Sequence, residues 1–204
     1  MPSRNVIKEQ APDSYYHVYA RGSNKQKIFL ESIDYEYFLT LFDRYLSEKP
    51  SVSKTNEVYP NFFKKIEILA YCLMDNHFHI LIYQCDVPYL EKFMRSVMTS
   101  YSRYFNLKYK RTGPIFESRY KASRINQNYY LQHVSRYIHL NPTQWEDYRY
   151  SSLKYYISSE EPRWLNTTKI LEQFNSRQNY IEFVSDYEEM HDMLDDLKHQ
   201  LADK

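Results

Sequence analysis

The sequence predicts an α+β fold, a ferredoxin-like antiparallel sheet with helices packed on one face, followed by a helical C-terminal extension. Three observations point there. Segments of strand and helix periodicity follow one another in the order strand, helix, strand, strand, helix, strand, helix. The central two strands are separated only by "DN", the signature of a tight hairpin. Along "HFHILIY" Phe78, Ile80 and Ile82 point to one face and His77 and His79 to the other, so an apolar face is set against a polar one.

The elements follow in turn. "SYYHVYAR" (14–21) carries the aromatic and β-branched residues of a strand and closes on "GSN", a turn. In "SIDYEYFLTLFDRYLSEKP" the residues Ile33, Tyr37, Phe38, Leu41, Phe42 and Tyr45 recur at helical spacing, with Ser32 placed to cap and Pro50 to stop. After the polar "SVSKTNEVYPN", the segments "FFKKIEILAYCLM" and "HFHILIY" make the hairpin. "VPYLEKFMRSVMTSYSRYFNLKY" opens on proline and sets Leu90, Phe93, Met94, Val97, Met98 and Tyr101 on one face of a long helix. "TGPIFESRYKASRI" is extended, and "NQNYYLQHVSRYIHLNP" is a helix ended by Pro142. From residue 163 the chain is polar, helical and acid-rich.

Composition narrows the function. A chain of 204 residues accommodates one main core with an appendage. Gly22 and Gly113 are the only glycines, too few for a P-loop or a dinucleotide fingerprint, which argues against nucleotide-cofactor enzymes. Cys72 and Cys85 lack CxxC spacing and read as reduced thiols. With no signal-peptide core and no apolar run of bilayer length, a soluble, cytoplasmic protein is expected.

The formal net charge of +1 hides an uneven distribution. Between Arg103 and Arg124 stand Arg103, Lys108, Lys110, Arg111, Arg119, Lys121 and Arg124 against a single acid, Glu117, interleaved with Tyr104, Phe105, Tyr109, Phe116 and Tyr120. Such a run is either a solvated face or a surface that tracks phosphates and stacks bases. On charge and stacking, the DNA-contacting candidates are Arg21, Asn24 and Lys25 in the first turn and Arg119, Tyr120, Lys121 and Arg124 in the basic strand. From Glu182 to Asp196 there are seven acids and no Lys or Arg, read as a solvated face.

Two histidines at i and i+2 of a strand are placed to share a metal, and equally describe an ordinary pair on a half-exposed sheet. Completion of a zinc site by Cys72 and Cys85 fits no familiar spacing. On the last helix Tyr137 and Asn141 are i and i+4 neighbours beside the apolar stripe Leu131, Val134 and Ile138. Tyr137 is then a half-buried tyrosine among 23, or a group at the edge of a site.

"YHVYARGSN", "MDNHFHILIY", "GPIFESRYKASRI", "YLQHVSRYIHLNP" and "YRYSS" occur in that order. Together they resemble the single-tyrosine HUH transposases, the IS200-like superfamily, above all the REP-associated tyrosine transposase branch, over residues 14 to 156. The resemblance implies a metal-dependent nuclease and strand transferase that cleaves and rejoins single-stranded DNA at hairpins through a 5′-phosphotyrosine intermediate. It implies that His77, His79 and Asn141 hold Mg²⁺ or Mn²⁺ and that Tyr137 is the nucleophile. His17 and His133 read as hydrogen-bonded structural or DNA-facing histidines, or as additional members of the site. Residues 1–158 would be the catalytic domain and 159–204 an acidic helical extension. Relatives from insertion sequences work as dimers, whereas the REP-associated branch suggests a monomer. Rival readings are a non-catalytic DNA-hairpin-binding protein and a zinc-stabilised interaction module.

Overall fold

A computed structural model of the chain describes residues 10–125, 128–158 and 160–186. Four strands, β1 (Ser14–Arg21), β2 (Ile66–Met74), β3 (His77–Gln84) and β4 (Lys121–Ile125), pair antiparallel in the order β2-β3-β1-β4. Helix α1 (Ser32–Leu46) connects β1 to β2, and α2 (Tyr89–Lys108) connects β3 to β4. This is the expected α+β, ferredoxin-like sheet.

The helices do not keep to one face. Helices α1 and α2 do, burying Phe38, Leu41, Phe42, Phe93 and Val97 against Val18, Phe78, Ile80 and Ile82. The opposite face is covered by α3 (Asn128–His139), α4 (Leu153–Ile157), α5 (Thr168–Leu171) and α6 (Arg177–Ser185). The cause lies in β2, where every residue from Ile68 to Leu73 is buried and a register shift falls between Ile68 and Ala70. A strand apolar on both faces needs cover on both. Leu69, Ala70 and Cys72 therefore join Leu131, Val134, Ile138, Tyr156, Tyr180 and Val184 in a second core. No helix among the described residues is long and apolar enough to cross a membrane.

Several boundaries differ from expectation. Of the extended segment 112–125 only Lys121–Ile125 joins the sheet, while Phe116 makes an isolated bridge to Gly22. A Cβ on Gly22 would lie 2.1 Å from the Gln26 carbonyl oxygen, so no other residue fits at that turn. Ser32 is not the cap of α1 but its first residue, Glu31 being the cap, and Ile33 is half exposed at 50%. The helix ends at Leu46, well before Pro50, where Ser47 turns extended.

The start of α1 is held by Asp34, whose side chain is fully buried. It accepts hydrogen bonds from the Leu30 and Glu31 amides (2.9 and 3.0 Å), Lys108 Nζ (2.7 Å), Tyr104 Oη (2.9 Å) and Tyr109 Oη (2.7 Å). Burial pushes its pKa up, but the bonds from Lys108, Tyr109 and the two amides outweigh this and hold it below the usual carboxylate range. Removing one partner of a buried charge network leaves the others uncompensated, so Asp34→Ala is expected to cost about 3 kcal/mol, read as a lowered urea midpoint at unchanged slope.

Candidate active site

Strand register assembles the site. Arg21 lies opposite His77, Tyr19 opposite His79 and His17 opposite Leu81, while Lys121 of β4 lies opposite Tyr19 on the other side of β1. Because side chains alternate across a strand, His17, His77, His79, Arg21 and Lys121 all share the face that α3 covers.

Helix α3 is laid there by Leu131, Val134 and Ile138. Adjoining that stripe, Tyr137 is only 6% exposed and meets His17 and His79 edge-on, with ring centroids at 5.8 and 5.5 Å and interplanar angles of 88° and 87°. The helix ends at His139 rather than running to Pro142. Proline disfavours the helical region for the residue before it, Asn141. Asn141 nevertheless brings Oδ1 to 3.1 Å from His77 Nε2.

On the other side of the His77 ring, Nδ1 lies 2.6 Å from Asn76 Oδ1. Both ring nitrogens thus face amide oxygens, which only accept, and a neutral ring has one proton to give; on Nδ1, the side of the shorter contact, it leaves Nε2 with the lone pair. Nε2 and Asn141 Oδ1 are then two acceptors face to face, an arrangement that a cation between them would satisfy. Their separation of 3.1 Å is close to the edge of an octahedron with metal–ligand bonds of about 2.1 Å. The His79 ring stands beside that of His77, with centroids 5.0 Å apart. As a donor set, two imidazole nitrogens and an amide oxygen suit a small divalent ion that accepts mixed N and O donors.

Among the described residues no group of three or more His, Cys, Asp and Glu converges as a metal site, so any ion here depends on the amide. Cys72 lies opposite His79, but burial pushes its thiol pKa up and its Sγ faces Met74 Sδ at 3.7 Å. Cys85 lies at the far end of the hairpin, past Gln84.

Both further histidines have protein partners. His17 is fully buried, with Nε2 2.8 Å from His79 Nδ1. Burial first, and His79 second, hold its pKa well below the usual imidazole range. The contacts of His133 lie elsewhere: its Nδ1 accepts from Arg136 Nη2 of its own helix at 3.2 Å, and its ring packs on Phe183 of α6. Burial and the Arg136 charge lower its pKa to about 4.

The DNA-binding candidates divide. Arg21 and Lys121 flank the histidines, Lys121 with its ammonium 5.6 Å from the Tyr19 ring centre. Asn24 and Lys25 are exposed in the turn at the His77 end of the sheet, where Asn76 donates to the Lys25 carbonyl at 3.3 Å. Arg124 lies opposite Tyr16 and so on the other face of the sheet. Tyr120 is 4% exposed in the first core, which withdraws its ring face from bases, and with Arg119 it lines a cleft of about 770 Å³ between α2 and residues 114–120. Within the basic run, Lys108 is engaged by Glu31 and Asp34, and Arg111 by Gln26.

Sequence reasoning passed over His139. It is fully buried, with Nδ1 2.7 Å from Tyr180 Oη and Nε2 2.7 Å from Ser152 Oγ. Ser152 Oγ in turn accepts from the Tyr71 amide of β2 at 2.8 Å. Arg136 adds a bond from Nη1 to the Phe183 carbonyl at 2.9 Å. The tyrosine helix is thereby tied to β2, to the start of α4 and to α6. The Tyr180 partner is 41 positions away, beyond the reach of any local pattern.

A family model described as "Transposase IS200 like" matches residues 10–141. Among solved structures, a REP-associated tyrosine transposase bound to a REP hairpin superposes with a TM-score of 0.58 at 13% identity, over 76% of this chain and 87% of that one. At that identity the likeness is one of fold. No curated protein matches. The family match spans the histidine strand, the tyrosine helix and Asn141, and on it this chain belongs to the IS200-like transposases.

Proposed function

We propose that the protein is a metal-dependent tyrosine nuclease and strand transferase that cleaves and rejoins single-stranded DNA at hairpins. The observation that carries this is the convergence on one face of His77, His79, Asn141 and the edge-on ring of Tyr137. His77, His79 and Asn141 would hold Mg²⁺ or Mn²⁺. Such an ion would supply positive charge that lessens the phosphate's repulsion toward the nucleophile and stabilises the charge developing in the transition state.

The rest falls to the chain's own groups. The Tyr137 oxygen bonds to phosphorus and gives up its proton, the bond from phosphorus to the 3′ oxygen breaks, and that oxygen leaves as a 3′ hydroxyl once protonated. The 5′ end stays attached as a phosphotyrosine, so rejoining to another 3′ hydroxyl needs no outside energy. Arg21 and Lys121, flanking the histidines, would contact backbone phosphates and set the strand's register. The exposed Asn24 and Lys25 extend that track, and the exposed Arg119 would offer a further phosphate contact at the cleft beside α2. Because Tyr137 meets the histidines of its own chain, we read a monomer as the working unit. Residues 1–158 form its catalytic part, and 159–204 form an extension whose helices α5 and α6 back the tyrosine helix.

The test is a denaturing gel of the protein with labelled single-stranded hairpins from DNA flanking its own gene. A covalent adduct that requires Mg²⁺ or Mn²⁺ and is lost on chelation is the expected result. Tight hairpin binding with no adduct under either metal would replace this reading with that of a non-catalytic hairpin-binding protein.

A further inference from the structure

We infer that His17 is a positioning residue for His79, accepting the His79 Nδ1–H and so fixing the tautomer and ring plane that turn Nε2 toward the ion site. The inference rests on the metal role proposed for His79.

The geometry is that of an in-plane bond. The His17 and His79 rings are parallel within 5°, with centroids 5.0 Å apart, yet His17 Nε2 and His79 Nδ1 are only 2.8 Å apart. Two rings stacked face to face at that centroid distance would not bring ring nitrogens so close. Lying side by side in one plane, they direct each nitrogen's σ orbital at the other, as a strong N–H···N bond requires. One proton therefore serves the pair, and its location decides what His79 can do. Carried on His79 Nδ1, it leaves Nε2 with a lone pair for an ion. Carried on His17 Nε2, it makes His79 Nδ1 the acceptor and puts the remaining proton of His79 on Nε2, where it blocks coordination. Ligation by His79 thus demands that His17 be the acceptor. Metal-bound histidines generally hold their second nitrogen in such a bond, and loss of the partner typically costs 10- to 100-fold in affinity.

The surroundings pack closely around this contact. His17 and His79 have no exposed surface, Tyr19 stacks on both, and the Tyr137 edge closes over them. His77 is oriented independently by Asn76. The two ligand histidines would thus be aligned by different partners, one an amide at the hairpin turn and one an imidazole on β1.

The experiment pairs two substitutions with two readouts. His17→Phe keeps an aromatic ring in the slot without an acceptor, and His17→Gln restores an acceptor oxygen near the position of Nε2. Mn²⁺ affinity, followed by paramagnetic resonance, is expected to fall on the order of 10- to 100-fold in His17→Phe and to recover most of that loss in His17→Gln. In the metal-free protein, ring ¹⁵N shifts should show wild-type His79 protonated on Nδ1 and lose that preference in His17→Phe. Equal Mn²⁺ affinity in wild type and His17→Phe, or a wild-type His79 protonated on Nε2, would overturn the inference. Failure of the wild type to bind Mn²⁺ would instead overturn the metal reading, and the ¹⁵N result would still decide the His17 contact on its own.

Discussion

Tyr137→Phe is expected to abolish the covalent DNA adduct and to lower single-turnover cleavage by about 10⁴-fold or more, the scale of losing a nucleophile. The substitution is well suited to the question. Tyr137 packs edge-on to His17 and His79 through its ring, and phenylalanine keeps that ring. Folding, Mn²⁺ binding and hairpin affinity should therefore stay near wild type, and only the attacking oxygen is missing. A variant that unfolded or lost hairpin affinity would show a structural role for the hydroxyl. Cleavage that survived at wild-type rate in a folded variant would move the nucleophile elsewhere, and the chain's many other tyrosines make that control necessary.

The second large effect is on stability against pH. His139 is fully buried and burial lowers its pKa to about 3, so the folded protein holds it neutral. In the unfolded chain it titrates near 6.5. Between those values the unfolded state binds a proton that the folded state refuses, and stability falls as pH falls. The contribution is intact above about pH 6.5 and is lost progressively down to about pH 3, amounting to about 5 kcal/mol. His133 and His17 are shifted in the same direction, and Asp34 adds its own loss at lower pH, so wild-type acid sensitivity alone does not isolate His139. Comparison with His139→Gln does. The variant is expected to be less stable at pH 7.5, having lost a shaped contact with Tyr180, Ser152 and Tyr156, and to lose much less between pH 7 and pH 4. Urea midpoints across that range give the measurement, and parallel pH profiles for the two proteins would contradict it.

Much of this fold can be read along the chain because its rules are local. Strand alternation sorted Phe78, Ile80 and Ile82 from His77 and His79, and the structure places those sets on opposite faces. Helical spacing found the buried stripe Leu90, Phe93, Met94 and Val97. Register and distant pairing lay beyond those rules. Nothing in "YHVY" says that His17 will meet His79, because that depends on β1 lying beside β3 rather than β2. Charge was the least faithful guide. The run from Arg103 to Arg124 looked like one basic surface, but Lys108 turns to the buried Asp34 and Arg124 lies on the far face from the histidines. Tyr120, counted as a stacking platform, is a core residue. A linear tally of charges and aromatics cannot separate those that face solvent from those that hold helices together.

The hydrogen bonds of His139 bear on which damage this protein tolerates. The family match ends at Asn141, and every proposed catalytic residue lies within it. Yet both nitrogens of His139 are bonded by Ser152 and Tyr180, which lie beyond that limit. A premature stop or a proteolytic nick after residue 141 would leave the chemistry's residues untouched and strip one side from the helix that carries the nucleophile. Leu131, Val134 and Ile138 would stay on the sheet, but a buried imidazole would lose both its partners, at a cost of several kcal/mol. Loss-of-function lesions in such a gene should therefore fall as readily in its last third as at the tyrosine itself.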